Sequence, residues 1–78
     1  MNQWQEIDSK LCKTFVFANF VEALAWMVKA GFEIEKLNHH PEWKNTYNKI
    51  EVKLCTHDAG NTITEKDHEL ARILDTIK

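Results

Sequence analysis

Ile50-Glu51-Val52-Lys53-Leu54-Cys55-Thr56-His57 alternates residue by residue, with Ile50, Val52, Leu54 and Thr56 on one side and Glu51, Lys53, Cys55 and His57 on the other. Period two is the signature of a strand with one face on a core and one on water. A strand of this kind needs antiparallel neighbours and something apolar above its inner face. The stretch therefore sets the reading of everything around it, and it places His57 at the end of a strand on its polar side.

Upstream, Glu42 to Tyr47 reads as a partner strand, joined to Ile50 by a turn at Asn48-Lys49. Before it stands Asn38-His39-His40-Pro41, where proline lacks a donor and moves His40 out of helical geometry, so a helix must end there. That helix begins at Phe20, capped by the side chain of Asn19 with Glu22 three residues on, and runs to about Leu37. Phe20, Leu24, Met27, Gly31 and Ile34, flanked by Val21, Ala25, Val28 and Phe32, give it a broad apolar face, with Gly31 permitting a close approach. Further upstream, Gln3 to Asp8 and Leu11 to Phe17 read as a hairpin turning at Asp8-Ser9. Leu11, Phe15 and Phe17 share one parity, and Lys13 is the discordant member, snorkelling at a sheet edge.

Downstream, Asp58-Ala59-Gly60-Asn61 is a turn, and Thr64 with Asp67 caps a last helix whose Leu70, Ala71, Leu74 and Ile77 form one stripe. The order β-β-α-β-β-α predicts an α+β, two-layer fold: a four-stranded antiparallel sheet with two helices packed on one face. Residues 1–78 are expected to form one domain, with no repeat or linker.

Composition narrows the function. A formal charge of −2, with ten cationic residues spread singly, supplies no stripe for nucleic acid and no basic amphipathic face for a membrane. Cys12 and Cys55 make no disulfide framework, and the N-terminus shows no basic-then-apolar leader, so a cytoplasmic location is expected. A chain of 78 residues has a thin core, and association into a homodimer or larger homo-oligomer is the expected supplement.

Histidine is the informative residue. Three of the four lie between Asn38 and His57, and an imidazole, with an unperturbed pKa of about 6.5, gives and accepts protons near neutrality. The ordinary alternatives are a helix-end partner for His39 and His40, a solvated strand end for His57, and a solvated helix face for His68.

A wider pattern joins these residues. Glu35, then His39-His40-Pro41, Tyr47, His57 and Asp67, with Phe15-Val16-Phe17-Ala18-Asn19-Phe20, Pro41-Glu42-Trp43 and Thr56-His57-Asp58-Ala59-Gly60 around them, resembles the pterin-4a-carbinolamine dehydratase family from about Trp4 to Ile77. The resemblance implies a saddle-like sheet, dimers that extend it, and tetramers in some members. It implies loss of water from 4a-hydroxytetrahydropterin to give quinonoid dihydropterin, the recycling step after aromatic amino acid hydroxylation, with a pterin as substrate, no cofactor and no metal. An aromatic amino acid hydroxylase is the implied pathway partner.

By the same resemblance His39, His40 and His57 are the catalytic residues. His40 and His57 are assigned to the proton transfers and His39 to orienting the pterin; which of the pair is acid stays open. Glu35, Asn38, Pro41, Trp43, Thr56 and Asp58 are the candidate substrate-binding residues, with Glu35 orienting His39 and Trp43 offering a flat face to the ring. Asp67 is read as a structural helix cap. Three departures stand out: the family's usual first helix is missing, Asn38 replaces a frequent aspartate, and the turn from Gly60 to Thr64 is one residue longer than the common form. Two rival readings remain. One is a metal site from the three histidines with Cys55; the other is a protein-binding module, since some animal members bind the dimerisation region of a homeodomain transcription factor.

Overall fold

The computed structural model describes residues 3–78; Met1 and Asn2, included in the expected domain, lie outside the described residues. Its elements follow the expected order: β1 (Gln5–Ile7), β2 (Lys10–Val16), α1 (Phe20–Leu37), β3 (Glu42–Thr46), β4 (Lys49–Leu54), a short 3₁₀ turn at His57–Ala59, and α2 (Glu65–Thr76). The sheet is antiparallel throughout, in the order β1-β2-β4-β3. Asp8 and Ser9, both with positive φ, make the first hairpin's tight turn. Primed turns of this hand match the twist of the strands they join.

Pleating sends Leu11 and Phe15 of β2, and Ile50, Val52 and Leu54 of β4, to one face, where both helices lie over them. The core is completed by Ala23, Trp26, Ala30 and Ile34 of α1 and by Leu70, Ala71 and Leu74 of α2. Trp26 is its aromatic centre, 4.5 Å from Phe15 and 5.6 Å from Phe17 between ring centroids. The opposite face of the sheet carries Lys10, Cys12, Glu51 and Lys53 and, among the described residues, has no helix on it.

Five sequence expectations need correction. The inward row of α1 is Ala23, Trp26, Ala30 and Ile34, while Phe20, Val21, Leu24, Val28 and Phe32 are exposed. The apolar residues of the helix cover more than one face, and the row that is buried pairs small Ala23 and Ala30 with large Trp26 and Ile34, the alanines letting the helix axis come close while the larger pair fills the core. Gly31 plays no part in that approach, since a Cβ there would meet nothing within 4 Å. Lys13 lies on the second strand, not an edge; its Nζ reaches Asp75 Oδ1 at 2.6 Å and sits over the Phe15 ring.

The remaining two concern the second hairpin. Its turn falls on Tyr47-Asn48, so β3 ends at Thr46 and β4 begins at Lys49. Tyr47 takes φ 53° there, an uncommon conformation for an aromatic residue. The strand stops at Leu54, three residues early, and His57 opens the 3₁₀ turn. The backbone of Thr56 bonds instead to Thr62, folding the segment 57–61 out over the end of the sheet.

Candidate active site

The site forms where α1 ends. Asn38 adopts the left-handed conformation (φ 52°, ψ 43°), its N–H donating to the last carbonyls of the helix, and Pro41 then leads directly into β3. Between them His39 and His40 diverge: the side chain of His39 is 10% exposed and that of His40 59%. The 3₁₀ turn brings His57 to the same cavity, of about 390 Å³, which is also lined by Asn38, Pro41, Thr56 and Asp58.

His39 is anchored from below. Its Nε2 lies 2.6 Å from Oδ1 of Asp67, which has no solvent exposure, while Oδ2 of Asp67 accepts from the Thr64 N–H and the Thr56 hydroxyl, each at 2.8 Å. Burial alone would raise the Asp67 carboxyl, but the hydrogen bonds from His39, the Thr64 backbone and Thr56 outweigh it and hold the group below the usual carboxylate range. Position three of α2, beside the positive end of the helix dipole, favours the same ionised form.

Each histidine commits one ring nitrogen. Carboxylate and amide oxygens only accept, so Nε2 of His39 donates to Asp67, Nε2 of His40 donates to Glu35 Oε1 at 3.2 Å, and Nδ1 of His57 donates to Asn61 Oδ1 at 2.7 Å. In the neutral rings the lone pairs therefore sit on Nδ1 of His39, Nδ1 of His40 and Nε2 of His57. Three imidazoles with fixed tautomers around one cavity can take up or release protons without first rotating to find a partner.

Comparison with known proteins places this arrangement. The family model for pterin 4 alpha carbinolamine dehydratase matches residues 1–77. The chain belongs to that family. A relative from Opitutus terrae bearing the pterin-4-alpha-carbinolamine dehydratase name is 51% identical over 74 residues, covering 95% of this chain and 76% of the relative. One of the same name from Prochlorococcus marinus is 47% identical, covering 96% of this chain and 77% of its own. The crystal structure of a transcriptional coactivator/pterin dehydratase from Brucella melitensis superposes with a TM-score of 0.87 at 40% identity, covering 92% of this chain and 78% of that one.

Within this dehydratase-family fold the sequence candidates separate. His39, His40, His57, Asn38, Pro41, Thr56 and Asp58 converge on the cavity. Glu35 touches His40, not His39, because the chain turns at Asn38 before the first imidazole and carries the second back over the helix end. Trp43 packs into the core 6.3 Å from Trp26 and is absent from the cavity wall. Asp67 does more than cap a helix, since the same carboxylate fixes His39. Asn61 was legible only as part of a lengthened turn, yet it fixes His57. Among the described residues no three His, Cys, Asp or Glu side chains converge as metal ligands. No described helix is long and apolar enough to cross a membrane.

Proposed function

We propose that this chain dehydrates a 4a-hydroxytetrahydropterin to the quinonoid dihydropterin by histidine acid–base catalysis, in recycling of a tetrahydropterin cofactor. The observation that carries the reading is the fixed-tautomer trio, His39, His40 and His57, around one cavity. The reaction breaks the C4a–O bond as the hydroxyl takes a proton and leaves as water. N5 gives up its proton, and that electron pair becomes the N5=C4a double bond. One acid and one base suffice, and His40 and His57 fill those roles. His39, held by Asp67, orients the ring. Asn38 and Asp58, which line the cavity, would bond the pterin's polar edge, while Thr56, whose hydroxyl is taken by Asp67 and Thr64, supports the wall. Family membership and the relatives' names support the same substrate class.

The test is direct: purified protein added to chemically generated 4a-hydroxytetrahydropterin should speed the absorbance change of dehydration above a no-enzyme control, and a rate equal to that control would reject the reading.

A second reading, a protein-binding module on the same fold, draws on the coactivator named in the Brucella melitensis protein and on the exposed apolar row of α1. It predicts stable capture of a protein partner by a variant lacking all three histidines. The two readings are compatible, because they draw on different side chains.

A further inference from the structure

Beside the histidine cavity lies a second one, of about 550 Å³, whose walls add Lys10, Glu42, Lys53 and Asn61. The two share His40, Cys55 and His57. In a tetrahydropterin C6 is bonded to N5, so a ring held with N5 and C4a against His40 and His57 starts its 6-substituent at this shared wall. The second cavity is where the substituent continues.

Its charges are unequal. Lys10 and Glu42 pair at 3.1 Å and offset one another. Lys53 lies opposite Glu42 in the β3–β4 ladder and opposite Cys12 in the β2–β4 ladder, and among the described residues it makes no hydrogen bond or ion pair through its side chain. Glu42 thus stands between two ammoniums, and the three charges leave this cavity one net positive charge, in a chain of formal charge −2. A neutral polyol tail has no use for it, whereas an anion gains a charge-assisted contact.

We propose that the pocket prefers tetrahydropterins whose 6-substituent ends in an anionic group, a phosphate or a carboxylate, and that Lys53 Nζ reads that group. The proposal rests on the dehydratase reading of the histidine cavity, and its test separates the two.

Titration calorimetry with 7,8-dihydroneopterin, 7,8-dihydroneopterin 3′-phosphate and 7,8-dihydrofolate compares a neutral, a phosphate and a carboxylate tail on one ring. At low salt at least one anionic ligand should bind about fivefold more tightly than the neutral one, the upper end of what an exposed ion pair contributes. The advantage should shrink as salt rises to about 0.15 M, where charges are screened beyond roughly 8 Å. Lys53→Met should bring the ratio of Kd values close to one, and Lys66→Met, which alters a cation of the histidine cavity only, should preserve it. Equal affinities, a ratio that survives Lys53→Met, or a ratio lost in Lys66→Met would each overturn the proposal. Binding of none of the three would reject the pterin site itself.

Discussion

The imidazole of His39 and the carboxylate of Asp67, twenty-eight residues apart, meet at 2.6 Å in a place water does not reach. The contact ties the end of α1 to the start of α2 across the end of the sheet. Asp67 thereby serves two elements at once, holding the His39 ring with one oxygen and the helix terminus with the other.

Removing that carboxylate should be felt in folding first. Asp67→Ala leaves the Thr64 N–H, the Thr56 hydroxyl and His39 without their acceptor, and the expected loss is about 2–4 kcal/mol by urea denaturation. The pH dependence follows from the lowered carboxyl. Its contribution is complete above the unfolded value of about 3.9 and is lost as pH falls through the lower folded value. Asp67→Asn should flatten that acid limb, and an unchanged limb would show that the group is not depressed.

His40→Ala and His57→Ala should each lower kcat by about 10²–10⁴-fold with secondary structure retained, as expected for groups that move protons. His39→Ala should act mainly on KM, and His68→Ala, exposed on α2, should match wild type. The double variant of His40 and His57 should lose little beyond the worse single one, because residues acting in one elimination are not additive. Full activity in either single variant would remove that histidine from the mechanism.

Dehydration by acid and base groups predicts that exhaustive chelation leaves the rate unchanged. Loss on chelation with recovery on adding zinc would transfer the three histidines to a metal.

Val21, Leu24, Val28 and Phe32 are 71%, 46%, 55% and 67% exposed on one side of α1, an apolar row that water solvates poorly. Light scattering at micromolar concentration should report a dimer or larger species, and Val28→Asp/Phe32→Asp should reduce its mass. A wild-type monomer that stays folded on dilution would refute the assignment.

Tyr47 holds φ 53° with its side chain exposed, a conformation glycine adopts more readily. Tyr47→Gly should raise stability by about 0.5–1 kcal/mol if the tyrosine only closes the hairpin. Stability that rises while kcat/KM falls would give the phenol a part in substrate binding.

How much of this was legible depends on the range of the signal. The hairpin at Asp8-Ser9, the Asn19 cap, the helix stop before Pro41 and the alternation from Ile50 to Leu54 are local, and each is where the sequence put it. The inward face of α1 was not legible, because outside the stripe of Glu22, Lys29, Glu33 and Lys36 the apolar sector is too wide to choose between rows, and only tertiary packing selects Ala23, Trp26, Ala30 and Ile34. The histidines were found through a family resemblance, but their partners were not. Glu35 meets His40 instead of His39, and Asp67 meets His39, because both contacts depend on how the chain turns at Asn38 and at Thr56, a relation between elements that spacing does not encode.

The left-handed cap at Asn38 limits what natural variation can do to this pocket. Glycine, asparagine and aspartate hold φ near 52° at little cost, while β-branched residues do not. The side chain at position 38 lines the cavity, so the backbone, by favouring glycine or a short polar residue there, biases what one wall of the cavity can present.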